Sequence, residues 1–442
     1  MFNVLMISLG CDKNRVDSEE MLALLSKRGY NITNEEEEAD IAIVNTCCFI
    51  GDALTESIDT VLDVSRLKAG RLKYIIVTGC MAERFKDEIK TELPEVDAFL
   101  GTSSIDHIAD ALDRVTNGET GVMYFDDLDR LPIVEEKRLL TETPYMAYLK
   151  IAEGCDKRCT YCAIPYFRGP YRSVPMNVLV KRAEELAESG VKELILVAQE
   201  TTCYGIDLYG AKSLHELIRR LSEVEGISWI RLMYCYPEEI YDELIEEIAE
   251  NNKVLHYIDM PLQHTESDIL RRMGRRIDKD KLYEIVYKLR ERIPDIAIRT
   301  TLIAGFPGET KEDHEALLDT INELSFDRLG VFAYSKEEGT PAADFPDQID
   351  EDTKVFYRDE IMELQQDISF DINNTFIGKD IDVIIEGYIS DDDIYVGRSY
   401  RDAPDVDGLV FVEADREFIS GEIVKVHVEE AGPYDMKGRE KI

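Results

Sequence analysis

The stretch CDKRCTYC at residues 155–162 decides how the rest of the chain is interpreted. It holds Cys155, Cys159 and Cys162 in C-x3-C-x2-C spacing, directly after an apolar run at 146–151 that predicts a β-strand. Three neighbouring thiols do not suit a disulfide framework, and zinc sites usually have four protein ligands or include a histidine, which this loop lacks. A [4Fe–4S] cluster held by three cysteines leaves one iron open. The spacing therefore indicates an iron–sulfur site that can bind a small molecule and pass it one electron.

With the aromatic Tyr161 before its last cysteine, this loop resembles the signature of radical S-adenosylmethionine (SAM) enzymes. The resemblance implies that SAM binds the open iron of a [4Fe–4S] cluster on Cys155, Cys159 and Cys162. Its reductive cleavage then gives a radical that takes hydrogen from an unactivated C–H bond. A surface cluster of cysteines, or a closed metal site, is the alternative interpretation of the same loop.

The composition predicts an ordered cytoplasmic protein of two or three domains. The chain has 442 residues, 44% of them hydrophobic, and nine cysteines with no secretory signal. An odd cysteine count indicates a reducing compartment and metal ligation rather than disulfides. No apolar stretch reaches the length of about 18 residues that a membrane span needs. The net charge of −40 favours basic partners and argues against direct DNA binding, although solubility explains it equally well.

Residues 1–118 are predicted to form an α/β domain with a parallel sheet. Strand-like runs alternate with helical patterns there, and Asp17 or Ser18 is expected to cap the first helix, which Gly29 ends. Cys11, Cys47 and Cys80 each follow one of the first three strands. Because parallel strands end at one edge of a sheet, these thiols are expected to converge on a second three-cysteine site. Three buried structural cysteines are the alternative.

The segments around those cysteines resemble the N-terminal domain of methylthiotransferases: SLGCDKNRVDSE at 8–19, NTC at 45–47 and TGC at 78–80. The resemblance implies a second [4Fe–4S] cluster on Cys11, Cys47 and Cys80 that delivers sulfur. Cys48 is an extra thiol that could compete with Cys47. Residues 119–143 carry charges without clear periodicity and are predicted to be a linker.

Residues 144–372 are predicted to form a partial (β/α)6 barrel whose site lies at the carboxyl ends of its strands. The six strand candidates are 146–152, 193–198, 229–233, 256–260, 297–304 and 328–333. Gln199 and Glu200 follow the second strand, and Gly305, Gly308 and Glu309 follow the fifth. The resemblance makes these residues, together with Tyr161, candidates for binding SAM. Structural roles in hydrogen bonding remain the alternative for such strand-end residues.

Residues 373–442 carry four short alternating strands and are predicted to form a small antiparallel β-barrel, which resembles the TRAM domain of methylthiotransferases. The range 375–442 holds 17 acidic and eight basic residues. An acidic barrel is poorly suited to RNA and suits a basic protein.

The sequence resembles the protein-modifying branch of the methylthiotransferases through CDKN at 11–14, RSYRDAPDVDG at 398–408 and AGPYD at 431–435. The resemblance implies a transferase that adds a methylthio group to the β-carbon of an aspartate in ribosomal protein S-twelve of the small subunit. It implies two [4Fe–4S] clusters, two SAM molecules, an electron donor and a sulfur source. A tRNA adenosine methylthiotransferase with the same clusters, or an iron–sulfur electron carrier without SAM chemistry, are the alternatives.

Overall fold

Two six-stranded sheets and a closed five-stranded barrel follow one another along the chain in this computed structural model. The structure describes residues 2–141 and 143–441. Met1, Glu142 and Ile442, which the sequence analysis placed in the first domain, the linker and the C-terminal domain, lie outside the described residues.

The first sheet confirms the predicted parallel α/β domain. Its strands are β1 (Asn3–Ser8), β2 (Asn31–Ile32), β3 (Ile41–Thr46), β4 (Tyr74–Gly79), β5 (Ala98–Leu100) and β6 (Val122–Tyr124). They are parallel in the order β2-β1-β3-β4-β5-β6. Its helices are α1 (Asp12–Arg28), α2 (Gly51–Arg66), α3 (Cys80–Arg84), α4 (Ile89–Glu92) and α5 (Ile108–Thr116). The sequence analysis missed β2 and β6, and β6 lies within the predicted linker.

This sheet is buried on both faces because helices cover each side. On β3, Ala42 and Val44 pack in the apolar cluster that includes residues of α2 and α3. Ile41 and Ile43 point to the opposite face, where the cluster includes residues of α1 and α5. The strands therefore read as continuous apolar runs in the sequence.

The start of α1 corrects one prediction. The helix begins at Asp12 with Cys11 at the N-cap position, so the prediction that Asp17 or Ser18 caps it was wrong. Both side chains are instead buried inside the helix, where Ser18 accepts a hydrogen bond from Asn45 Nδ2 at 2.9 Å. The end at Gly29 is confirmed, since this residue has the left-handed φ of +97°.

The second sheet confirms the six predicted central strands. They are β7 (Met146–Lys150), β10 (Glu193–Val197), β11 (Trp229–Leu232), β12 (Val254–Asp259), β13 (Ala297–Ala304) and β14 (Arg328–Ala333). They are parallel in the order β14-β13-β12-β11-β10-β7. A small antiparallel pair, β8 (Ala152–Glu153) and β9 (Arg172–Ser173), flanks the cysteine loop.

Nine helices accompany this sheet in the described residues, and four of them, α6, α8, α11 and α14, were not predicted. They are α6 (Ile164–Arg168), α7 (Met176–Glu188), α8 (Ile206–Tyr209), α9 (Leu214–Ser222), α10 (Asp242–Glu250), α11 (Ser267–Arg272), α12 (Lys279–Arg292), α13 (Lys311–Leu324) and α14 (Glu351–Asn374). The described residues contain no helix with both the length and the apolar character needed to cross a membrane.

The C-terminal barrel is closed by a strand that the sequence analysis missed. Its strands are β15 (Asp380–Ile389), β16 (Ile394–Ser399), β17 (Val410–Glu413), β18 (Ile423–Ala431) and β19 (Met436–Glu440), joined in the order β15-β16-β17-β19-β18. The pair β17–β19 is parallel, so the barrel is mixed rather than wholly antiparallel as predicted. The predicted small β-barrel is otherwise confirmed.

The barrel covers the amino-terminal ends of the central strands. Arg398 of β16 pairs with Glu193 at the start of β10, with Nη2 2.8 Å from Oε2. In the following loop, Asp402 pairs with Arg328 at the start of β14, and Ala403 packs with the inward-facing apolar residues of the central sheet. This arrangement leaves the opposite, carboxyl-terminal ends of the central strands for the first domain and the site.

Candidate active site

The three cysteines at 155–162 lie in a loop that backbone hydrogen bonds fix in place. Cys155 N donates to Gly169 O at 3.1 Å, and Cys162 N donates to Cys159 O at 3.0 Å. Thr160 N donates to the carbonyl of Met273, which follows α11, at 2.9 Å. All three thiols are free, with Cys155 and Cys159 buried and Cys162 partly buried. The loop thus presents a fixed set of three sulfur ligands.

The thiols of this loop influence one another's ionisation. Burial, opposed by the Lys157 N–H that lies 3.5 Å from the sulfur and assisted by the charge of Cys159, raises the pKa of Cys155 to about 12. Burial and then Cys159 likewise raise the pKa of Cys162. Metal ligation requires deprotonated sulfurs, so a bound cation would stabilise the thiolates that burial and mutual repulsion disfavour. The donor set therefore fits an iron–sulfur cluster.

Two buried acceptors stand beside this loop with no hydrogen-bond partner in the described part of the chain: Gln199 Oε1 and Glu200 Oε2. Gln199 Nε2 donates to Glu153 Oε1 at 2.8 Å, and Glu200 Oε1 accepts from Thr202 N at 2.8 Å, so both side chains are held in position. Lys157 Nζ forms an ion pair with Glu200 Oε2 at 3.6 Å, too long for a hydrogen bond. Buried acceptors without a hydrogen-bond partner fit a ligand that carries a donor such as the amino group of SAM.

Tyr161, Gly305, Gly308 and Glu309 lie together, with Gly305 and Glu309 buried and Tyr161 and Gly308 half-buried. Tyr161 packs edge to face on Phe306, with ring centroids 6.4 Å apart. Gly305 and Gly308 have φ of +73° and +88°. A Cβ at Gly305 would lie 2.9 Å from Lys354 Cβ, and one at Gly308 would lie 2.5 Å from Arg272 Nη2. Both glycines are thus explained by close packing of protein.

Glu309 holds the loop that precedes α13. Its Oε2 accepts hydrogen bonds from Gly305 N at 2.7 Å and from Phe306 N at 3.0 Å. Its Oε1 lies 3.6 Å from His264 Nε2 and 3.8 Å from His314 Nδ1. The carboxylate is fully buried, and its Oε1 has no hydrogen-bond partner in the described residues. The two bonds to Oε2 hold the backbone of the loop, so this geometry suits a positioning role for the loop.

The structure brings Cys11, Cys47 and Cys80 together as expected from the strand order. They follow β1, β3 and β4, which are adjacent in the sheet. Burial raises the pKa of Cys80 well above its ordinary value; Arg168 opposes the rise, and the charges of Cys48, Cys11 and Cys47 add to it. A Cβ added at Gly10 would lie 2.8 Å from Cys47 Sγ, which shows how tightly the loops pack. The three free thiols form a second donor set that fits an iron–sulfur cluster.

Cys48 is fully buried in the apolar cluster on the α2 and α3 face of the first sheet. Burial raises the pKa of its thiol to about 12. Its carbonyl accepts a hydrogen bond from Arg84 Nη1 at 2.9 Å. This environment is typical of a structural cysteine.

Asn14 locks the loops that carry the second set of thiols. Its Nδ2 donates to Leu9 O at 2.8 Å and to Thr46 O at 3.0 Å, and Asn45 Nδ2 donates back to Asn14 O at 2.8 Å. These bonds connect the segments after β1 and β3. The asparagine of the CDKN segment therefore acts on the geometry of the cysteines.

A buried ionic network that the sequence analysis missed joins the two sets of thiols. Arg168, which ends α6, reaches from the central domain to Cys80 and to Asp17 of α1. Lys150 and Glu153 of the central domain complete the network. The only signal in the sequence was the position of Arg168 six residues after Cys162, because burial of charged residues cannot be seen in a hydropathy pattern.

A second contact between the domains lies beside Cys11. Lys13 Nζ is 3.4 Å from the ring centroid of Tyr234, which follows β11, and 2.7 Å from Asp12 Oδ1. Tyr234 has a left-handed φ of +58°, and its N donates to Asp259 Oδ2 at 2.9 Å. The first domain therefore sits over the carboxyl ends of the central strands, where Arg168 also reaches Cys80.

Comparisons with known proteins assign the same three parts. Residues 3–101 match Uncharacterized protein family UPF0004, residues 149–321 match the radical SAM superfamily, and residues 377–440 match the TRAM domain. The ribosomal protein uS12 methylthiotransferase RimO of Lachnoclostridium phytofermentans is 55% identical over 98% of this chain and 99% of its own length. That of a Thermoanaerobacter species is 47% identical over 99% of this chain and 100% of its own length.

Solved structures share the fold at low identity. The radical SAM methyltransferase TsrM from Kitasatospora setae, with cobalamin and a [4Fe–4S] cluster bound, matches with a TM-score of 0.56 at 14% identity, covering 77% of this chain and 73% of that one. The cobalamin-dependent SAM radical enzyme OxsB matches with a TM-score of 0.52 at 14% identity, covering 82% of this chain and 56% of that one. At this identity the likenesses show the shared fold alone.

Proposed function

The chain belongs to the family of the ribosomal protein uS12 methylthiotransferase RimO, and from that premise we propose how its residues carry out the reaction. It is a radical SAM methylthiotransferase that modifies an aspartate of uS12. We place the new methylthio group on the β-carbon of that aspartate. This C–H bond is not acidic enough for a side-chain base, so hydrogen has to leave by radical chemistry.

The loop of Cys155, Cys159 and Cys162 would hold the [4Fe–4S] cluster whose open iron binds SAM. Gln199 and Glu200 would orient the amino group of SAM, and the buried Gln199 Oε1 and Glu200 Oε2, which lack a hydrogen-bond partner in the described residues, support this assignment. Tyr161, Gly305, Gly308 and Glu309 would position the loops around it. Enclosure of these groups restricts water and oxidants near the bound cofactor.

Cys11, Cys47 and Cys80 would hold a second [4Fe–4S] cluster that carries the sulfur to be transferred. The observation that carries this proposal is the placement of two three-thiol sets at one junction between domains, linked through buried Arg168. When bound, the two clusters and two SAM molecules supply one-electron reduction, hydrogen abstraction, a methyl group and sulfur. The chain's own residues bind these groups and hold them near one another.

The partner surface is proposed to be acidic. The C-terminal barrel carries carboxylates at Asp391–Asp393 and Glu429–Glu430, which would attract a basic ribosomal protein and repel a phosphate backbone. An electron donor and a sulfur source are further required partners. We expect the protein to act in the cytoplasm, where its ribosomal substrate is made.

The proposed function is tested by anaerobic incubation of reconstituted protein with SAM, sulfide, reductant and either purified uS12 or bulk tRNA. Mass spectrometry of each substrate is expected to show one added methylthio group on a uS12 aspartate and none on tRNA. A methylthio group on a tRNA adenosine would keep the chemistry and refute the substrate.

A further inference from the structure

Arg168 is buried at the junction of the two domains and donates toward four side chains. Its exposed fraction is 2%. Its Nε lies 3.3 Å from Cys80 Sγ, and its Nη1 donates to Asp17 Oδ2 at 2.8 Å and to Glu153 Oε2 at 3.1 Å. Its Nη2 donates to Asn14 Oδ1. The guanidinium is therefore held on three sides while its remaining edge faces a sulfur.

The chain fixes Arg168 relative to the Cys155 loop. Helix α6 begins two residues after Cys162 and ends at Arg168. Gly169 then turns the chain with φ of +71°, where a Cβ would lie 2.7 Å from Leu128 O, and its carbonyl accepts from Cys155 N at 3.1 Å. One continuous segment thus carries the first set of thiols and a cation that contacts the second set.

The charges around Arg168 balance without Cys80. Asp17 and Glu153 are shared with Lys150, which donates to Asp17 and, at 2.8 Å, to Glu153 Oε2. Two cations therefore face two carboxylates at contact distance, and Glu20 and Arg172, whose charges act on Lys150 and Glu153, add one charge of each sign. The bond from Nε to Cys80 Sγ is additional to this balance, so it is available to stabilise negative charge on the sulfur.

We propose that Arg168 is a positioning residue that hydrogen-bonds the Cys80 sulfur of the N-terminal cluster, fixes that cluster against the Cys155 loop and raises its reduction potential. The proposal rests on the proposed function, because it requires a cluster on Cys11, Cys47 and Cys80. Hydrogen bonds to cluster sulfurs favour the reduced, more negative state. The planar fork of arginine suits this geometry, since it bonds sulfur, carboxylates and amide at once.

The test uses the full chain in a background where Cys155, Cys159 and Cys162 are all alanine, so that any bound iron belongs to the N-terminal site. Arg168→Met, Arg168→Lys and Lys150→Met are compared in this background after anaerobic reconstitution. Iron content, the electron paramagnetic resonance spectrum of the reduced cluster and its midpoint potential by redox titration are measured. Lys150→Met is the matched control, because it removes a buried cation of the same network that does not contact Cys80.

We expect R168M to shift the midpoint potential to a lower value and to alter the spectrum, K150M to shift the potential less, and R168K to lie between R168M and the background. If R168M loses its iron while circular dichroism shows a native fold, that loss supports the positioning role. The effect on the midpoint potential is then measured on R168K alone. An unchanged potential in both Arg168 variants, or an equal shift in K150M, would overturn the inference. Absence of iron from the background protein itself would instead refute the proposed second cluster.

Discussion

Arg168 of the central domain and Asp17 of the first domain form an ion pair that is 2% exposed on both sides, with Nη1 2.8 Å from Oδ2. Asp17 belongs to the helix that begins beside Cys11, and Arg168 ends the helix that begins after Cys162. The pair therefore connects the two segments that present the cysteines. Loss of this ion pair should lower the stability of the fold and change the position of one set of cysteines relative to the other.

Asp17→Asn is expected to lower the free energy of unfolding by about 3 kcal/mol, because it removes one partner of a buried ion pair and leaves Arg168 and Lys150 to share Glu153. Chemical denaturation followed by circular dichroism measures this loss. Asp63→Asn removes the exposed pair with Arg66 on α2 and should change stability by less than about 0.5 kcal/mol. Equal effects of the two substitutions would contradict the structural importance of the buried pair.

Substitutions in the two sets of cysteines are expected to affect SAM cleavage and methylthiolation differently. Alanine at Cys155, Cys159 or Cys162 should abolish release of 5′-deoxyadenosine from SAM and remove about half of the bound iron. Chromatography of the nucleoside products and iron analysis measure both.

Alanine at Cys11, Cys47 or Cys80 should also halve the iron content but spare SAM cleavage and stop methylthiolation. Cys48→Ala is the matched control, since this thiol is buried in the apolar cluster, and it should retain both activities. Full product formation by the Cys80 variant would refute the second cluster.

Glu309→Ala is expected to weaken SAM binding about tenfold without loss of iron. The substitution removes the acceptor that Gly305 N and Phe306 N share, and a hydrogen bond to a charged group contributes about 1.5–3 kcal/mol. Equilibrium binding of SAM to reconstituted protein gives the dissociation constant. Glu312 is an exposed residue in the first turn of α13, and Glu312→Ala should leave the dissociation constant unchanged. The same affinity in both variants would show that the Glu309 loop does not position SAM.

The contact between the C-terminal barrel and the central sheet is expected to weaken in acid, because Glu193 pairs with Arg398 of the barrel. Burial disfavours its charge, but Arg398 and Arg231 outweigh burial and lower its pKa to about 2. Since the pKa is depressed in the folded state, the stabilisation is complete above the ordinary value near 4.5 and is lost as the pH falls toward 2.

The unfolding midpoint of the native protein should therefore fall as the pH is lowered from about 5 to about 3, which is the upper part of this window. The fall should be steeper than that of Glu193→Gln. Glu246→Gln, which alters an exposed pair with Arg292, should retain the steep dependence. Parallel pH profiles of native and Glu193→Gln protein would contradict the role of Glu193.

The sequence was sufficient for those parts of the fold that periodicity and strand order determine. The six central strands are buried apolar runs, and the convergence of Cys11, Cys47 and Cys80 follows from parallel topology alone. Strands β2, β6 and β19 were missed because β2 and β6 have only two and three residues and β19 reads MKGRE. Tertiary pairing, rather than local preference, determines such strands.

Helix α14 and the ionic network were missed for a related reason. The buried face of α14 includes Lys354 and Gln365 among apolar residues, so its apolar stripe is interrupted. Asp17 and Arg168 are charged residues that pair inside the protein, whereas such residues are normally exposed. The start of α1 was misplaced because its first turns are polar and face the cysteine site instead of an apolar core.

Hydrogen abstraction from the β-carbon is tested with uS12 that carries deuterium at the β-carbon of its aspartates, incubated with reconstituted protein, SAM, sulfide and reductant without oxygen. Mass spectrometry of the protein and of the released 5′-deoxyadenosine is performed on the same sample. We expect one methylthio group on a uS12 aspartate, loss of one deuterium from that residue and deuterium in the 5′-deoxyadenosine. A methylthiolated aspartate that keeps all its deuterium, or 5′-deoxyadenosine that contains none, would contradict this expectation.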